Sequence, residues 1–118
     1  ERYLDMVTAV SGSGPAWAML VIEAMTDAGV NLGLRRDWAY ELVLQTFAGS
    51  VALARETGRH PADLRNSVTT PGGTTAAGLS AMERAGARAA LADGIEAAYR
   101  RAVDLGAAAR STSGNASR

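Results

Sequence analysis

The 118-residue chain contains no cysteine, no lysine and a single histidine, His60. Without cysteine there is no disulfide, no thiolate metal site and no Cys nucleophile, a usage that fits a reducing, cytoplasmic setting. One histidine excludes a two-His metal site. Placed before Pro61, it reads as a solvent-facing or helix-capping residue. Charge of one sign is missing too: twelve arginines stand against twelve acids, for a net charge of +0. No basic face recommends nucleic acid, and no polybasic run recommends a membrane. The longest strongly apolar run, Ala16 to Ile22, is far below membrane-spanning length. No segment alternates as a strand, and no internal repeat occurs at a fixed period. The chain starts at Glu1, not at Met, in what reads as mid-helix, so a fragment or trimmed product of a longer chain is expected.

What is present is helical nearly throughout. With helical periodicity and no alternating segment the fold class is all-α, and because aromatics are only 5% of the chain its helices can approach closely over small residues. From Trp17 the run "WAMLVIEAMTDAGV" carries only Glu23, Thr26 and Asp27 as polar breaks, with Pro15 suited to a first turn and Gly29 to a stop. Met19 and Met25 within it read as core filler. A second long helix should run from about Arg36 to a C-cap at Gly58. Pro61 starts a short helix that ends before Pro71. In the last segment Leu91, Ile95, Ala98, Ala102 and Leu105 form one stripe, while Asp93, Glu96, Arg100 and Asp104 face water and Glu96 pairs with Arg100. The expected organisation is one helical domain over residues 1–106 and a disordered tail over 107–118, polar and small from about Ser111. Two long helices apolar on several faces hold more surface than one small monomer can bury. They predict an obligate homodimer of interlocked helices.

Two glycine-bearing turns are the candidate sites. In "SGSGPAW", Gly12 and Gly14 imitate the start of the dinucleotide fingerprint G-x-G-x-x-G, but Trp17 stands where a small residue must let helix and strand pack, and no strand precedes the run. It reads as a helix–loop–helix junction. In "TTPGGTT", Gly72 and Gly73 let the backbone approach a ligand, and a helix starting at Thr74 or Thr75 would add unpaired N–H groups and its dipole to the same pole. A carboxylate or phosphate would fit there. Ordinary capping would use the same threonines, and local chemistry leaves both readings open.

The surroundings carry more. Pro61, Leu64, Val68, Thr69, Thr70, Gly72, Gly73, Thr75, Gly78, Leu79, Met82 and Glu83 occupy spacings that resemble the signature of the pyrroline-5-carboxylate reductases. "AVSGSGPAW", "EAMTDAGVNLGL" and "ERAGARAALADGIEAAYRRAVDLG" are similar to that family's C-terminal dimerisation domain, in order and separation, over roughly Asp5 to Gly106. The resemblance implies reduction of 1-pyrroline-5-carboxylate to L-proline, the last step of proline biosynthesis, with NADPH or NADH bound mainly by an N-terminal Rossmann domain that these residues lack, and with no metal. It implies a homodimer, or a higher oligomer of dimers, and a chain inactive without its cofactor domain. By the same resemblance the substrate carboxylate is held at Gly72, Gly73, Thr74 and Thr75 with Thr70 beside it, the Thr75 hydroxyl meets the ring nitrogen, and Ser11, Gly12, Ser13, Gly14 and Pro15 line the active site. Trp17 departs from the family, which commonly has Tyr there. A non-catalytic helical dimerisation module or paralogue, and a ketoreductase-like relative acting on another small carboxylic acid, are the alternatives.

Overall fold

The computed structural model describes residues 1–115, which form six α-helices and one π-helical turn, with no strand among them. The all-α expectation holds. The chain divides into two compact units, one of Glu1–Ala18 with the segment from Gly86 onward and one of Met19–Ala85.

In the first unit, α1 (Arg2–Val7) runs into a π-helical turn (Thr8–Gly12), and α2 (Gly14–Asn31) starts after Ser13. The expected helix–loop–helix junction is thus a continuous helical path with one widened turn, because the Ser13 N–H donates to Thr8 O at 2.8 Å, five residues back. The last helix, α6 (Ala87–Asn115), packs on α1 and the π-helical turn. Ala9 is 1% exposed, and its single methyl group lets a helix lie close. Of the expected apolar stripe of α6, Ile95, Ala98 and Ala102 are half-buried, whereas Leu91 and Leu105 are exposed. The Glu96–Arg100 pair forms at 2.6 Å on the wet side.

The disordered tail expected over 107–118 is corrected as far as Asn115. The run from Ala107 to Arg110 is made of strong helix formers. Beyond it, Thr112 Oγ1 donates to Ala108 O at 2.6 Å and Ser113 Oγ to Ala109 O at 3.1 Å, so these hydroxyls bond along the helix that composition alone set them against. The last three residues of the expected tail lie outside the described residues.

The second unit holds the rest of α2, then α3 (Arg36–Thr57), α4 (Pro61–Ser67) and α5 (Thr74–Arg84). Gly58, at φ 62°, closes α3 where the sequence places it. Gly29 does not stop α2, which continues to Asn31. The stop is Gly33, at φ 115°, with Gly33 N–H on Val30 O and Leu34 N–H on Gly29 O, the paired bonds of a Schellman motif. Gly29 packs against α3 instead: a Cβ there would lie 3.4 Å from Ala39 Cβ, at the edge of ordinary contact.

Ile22, Thr26, Ala39 and Val43 are the buried residues of this unit. The Thr26 hydroxyl is satisfied by Ile22 O at 2.8 Å, so it sits in an apolar seam without penalty. Beside the seam lies an open cleft of about 630 Å³ lined by Met19, Ile22, Glu23, Thr26, Asp27, Arg36, Asp37 and Tyr40. Met19, Leu20, Leu42 and Val51 remain more than half exposed, and Met25 is 38% exposed. The two long helices are therefore not buried by their own chain, and the two methionines are not core filler within it. The apolar faces read from the sequence exist, but the chain that carries them leaves them uncovered.

Candidate functional site

The turn before α5 is built from both sides. On its N-terminal side α4 is started by His60, whose Nδ1 accepts the Ala62 N–H at 3.0 Å, with Pro61 in the first turn. The helix is closed by Thr69, whose N–H donates to Asn66 O at 3.1 Å and whose half-buried hydroxyl donates to Arg65 O at 2.6 Å. The chain then reverses over Thr70-Pro71-Gly72-Gly73. Gly73 N–H donates to Thr70 O at 3.0 Å, and Gly72 is at φ 69°. Proline second and a left-handed glycine third are the requirements of a type II turn.

Gly73 is the N-cap of α5, at φ −82° and ψ 178°, and no side chain caps the helix. Its requirement for glycine is steric: a Cβ at this position would run into Thr70 Oγ1 and lie 3.2 Å from Thr70 O. Ala77 N–H is the first to bond back, to Gly73 O at 3.2 Å. The N–H groups of Thr74, Thr75 and Ala76 have no intrahelical acceptor at this end. Unlike α3 and α4, which carry Asp37 and Asp63 in their first turns, α5 has no acidic residue there. Its positive pole is uncompensated by its own sequence.

The hydroxyls divide in the same way. Those of Thr26, Thr46 and Thr57 donate to carbonyls of their own helices, and that of Thr69 to a carbonyl in the last turn of α4. Among the described residues, those of Thr70, Thr74 and Thr75 make no hydrogen bond within the chain. Thr75 is half-buried, while Thr70 and Thr74 are exposed. Open N–H groups, an unopposed helix pole and a free hydroxyl can receive a carboxylate and one further polar atom. The Gly73 N–H already bonds Thr70 O, so Gly73 contributes space, and on the helix side of the turn the open donors begin at Thr74. The tie made by Thr69 escaped sequence reading, although a hydroxyl four residues after Arg65 at a helix end is its visible signal.

The other expected site residues, Ser11 to Pro15, belong to the first unit, in the π-helical turn and the first residues of α2. Ser11, Gly12 and Pro15 are exposed, and Ser13 and Gly14 half-buried. Trp17 Nε1 donates to Ala9 O at 3.0 Å, a contact that the sequence does not announce. No group of three or more metal-ligating side chains comes together among the described residues. None of the described helices is long and apolar enough to cross a membrane.

Comparison with known proteins fits these features to one family. The family described as "Pyrroline-5-carboxylate reductase dimerisation" matches residues 1–105. The chain belongs to the pyrroline-5-carboxylate reductase dimerisation family. Among its relatives are the pyrroline-5-carboxylate reductases of Synechocystis sp., 50% identical over 106 residues, and of Glycine max, 44% identical over 105. These matches take in 90% and 89% of the chain but only 40% and 38% of the relatives' own length, so the chain spans about two fifths of the reductases it matches. A crystal structure of Plasmodium falciparum pyrroline carboxylate reductase with NADP bound superposes with a TM-score of 0.87 at 38% identity, over 90% of this chain and 40% of that one. The Coxiella burnetii pyrroline-5-carboxylate reductase does so with 0.86 at 37%, over 89% and 39%.

Proposed function

We propose that this chain is the dimerising and substrate-holding part of a cytoplasmic NAD(P)H-dependent reductase that converts 1-pyrroline-5-carboxylate to L-proline. The observation that carries the reading is the uncapped start of α5, where the N–H groups of Thr74 to Ala76 stand open behind a turn that excludes any Cβ at Gly73. The substrate carboxylate sits on those groups, Thr70 flanks it, and the Thr75 hydroxyl meets the ring nitrogen; Ser11 to Pro15 line the active site of the assembled reductase. Thr75 can accept from a protonated nitrogen or donate to a neutral one, which suits orientation. A threonine hydroxyl is too weak an acid to be the final proton source, so solvent supplies the proton. The side chains have little else to do, because placing the imine carbon is the main requirement when a cofactor delivers hydride.

These residues do not fit a nicotinamide nucleotide site. Gly12 lies in a π-helical turn and Gly14 at a helix start, and no strand precedes either among the described residues. The nucleotide would be held by the part of such a reductase that this chain does not cover. Its assembly follows from the uncovered faces of α2 and α3, which a second copy would bury in a homodimer or in a higher oligomer of dimers. Light scattering should give twice the chain mass or an even multiple, with an interface above the roughly 2,000 Å² that marks obligate pairs. A stable monomer contradicts this.

The deciding experiment is an assay of the full-length protein with 1-pyrroline-5-carboxylate and either nucleotide, read as proline formed. Turnover of another small cyclic or keto acid in its place would point to a relative with a different substrate. A dimer with no turnover at all would mean a non-catalytic module.

A further inference from the structure

We infer that Trp17 is a positioning residue, which holds the Ser11–Pro15 segment in its working register through one hydrogen bond. This rests on the reading that the segment lines the reductase site. In a regular α-helix the carbonyl of Ala9 would accept the N–H of Ser13. That N–H goes to Thr8 O at 2.8 Å, and Ala9 O receives the indole N–H of Trp17 at 3.0 Å instead. Ala9 is the most enclosed residue of its unit, at 1% exposure, so water is poorly placed to replace the indole. A buried carbonyl left without a donor is costly, and the ready remedy is to give Ser13 N–H back to Ala9 O. That repair turns the π-helical turn into an α-helical one. It re-aims the segment by up to about 100°, the rotation of one residue in a 3.6-residue turn. The hydroxyls of Ser11 and Ser13 would then leave the site they line. π-Helical turns of this kind concentrate at functional sites, and here the donor that maintains the turn comes from the first turns of the helix that follows it.

The test compares the full-length protein with its Trp17→Phe variant, which keeps an aromatic ring and removes the donor. The variant should lose about tenfold in kcat while KM for 1-pyrroline-5-carboxylate stays within about twofold, because the carboxylate cradle at residues 70–75 is untouched. A purely structural role would lower the melting temperature without that division between kcat and KM. Amide hydrogen exchange, which needs no substrate, should show Ser13 still protected and Gly14 gaining protection in the variant, because the α-helical repair gives each N–H an acceptor four residues back. The wild-type indole N–H should exchange far more slowly than free tryptophan, and that measurement decides the point if the variant fails to fold. An indole N–H that exchanges as fast as free tryptophan overturns the inference, and so does a folded variant with kcat within twofold of the wild type. If the wild-type protein reduces no imine, the proposed function fails, and exchange at Ser13, Gly14 and the indole still decides whether Trp17 holds the turn.

Discussion

The turns around Gly12 and Gly73 look alike as strings of Gly, Pro and small hydroxyl residues, and the protein uses them oppositely. Around Gly12 the backbone closes on itself: Ser13 bonds Thr8, Trp17 bonds Ala9, and a Cβ at Gly12 would find only ordinary contact, with Thr8 Cγ2 at 3.6 Å. Around Gly73 the backbone opens. Thr70 O closes the turn, no side chain caps α5, and a Cβ has no room. What separates a closed helical joint from an open helix start is therefore which N–H groups already have acceptors, and glycine content does not report that. The first turn leaves a carbonyl that needs a donor from a side chain, and the second leaves donors that need an acceptor from outside.

The largest expected effect breaks this contrast directly. Gly73→Ala should cost roughly three hundredfold in kcat/KM, about 3.4 kcal/mol, since displacing the turn forfeits two charge-assisted hydrogen bonds of about 1.5–3 kcal/mol each. Gly12→Ala should stay within about threefold, because its methyl group meets no obstacle. Equal losses at the two glycines, measured on the full-length enzyme, would erase the difference between the turns.

Within the open turn, Thr75→Ala should lose about ten- to two-hundred-fold in kcat/KM, the range for one hydrogen bond to a charged group. Thr75→Ser should keep most of the activity. Thr74→Ala is the sharpening control: Thr74 is exposed and Gly73 already holds the cap position, so activity should remain within about twofold. Matching losses at both threonines would remove the ring-nitrogen contact from Thr75. The smallest effect belongs to Thr69→Val, which deletes the 2.6 Å bond to Arg65 O. About 1 kcal/mol of stability should go, seen as a lower melting temperature, with KM rising a few fold as the turn loosens. An unchanged melting curve would show that α4 and the turn hold together without it.

Much of the fold is legible in the chain because helices report themselves locally. Gly58 ends α3 and Pro61 starts α4 where the sequence reading puts them. Gly29 misleads for an instructive reason: a glycine that packs against Ala39 and a glycine that takes a positive φ are the same letter, and of Gly29 and Gly33 it is Gly33 that has the latter role. The end of α6 misleads because Ser and Thr disfavour helices on average yet bond to carbonyls one turn back when a helix is already running. The turn at Thr70 to Thr75 is visible as a class, since proline, two glycines and a helix start are local features. Its free donors are not visible, because whether Gly73 N–H bonds to Thr70 depends on how the chain reverses.

By itself the sequence determined the helical class, most helix ends, the excess of apolar surface on α2 and α3, and the presence of a glycine turn before α5, all of which follow from periodicity and from the φ preferences of single residues. Only the tertiary structure decided that Trp17 reaches back to Ala9, that Gly29 is a packing residue, and that the pole of α5 is left open. Each of these depends on which groups meet across turns and between helices, and a hydrogen bond or a steric contact is a property of two positions in space that no single residue encodes.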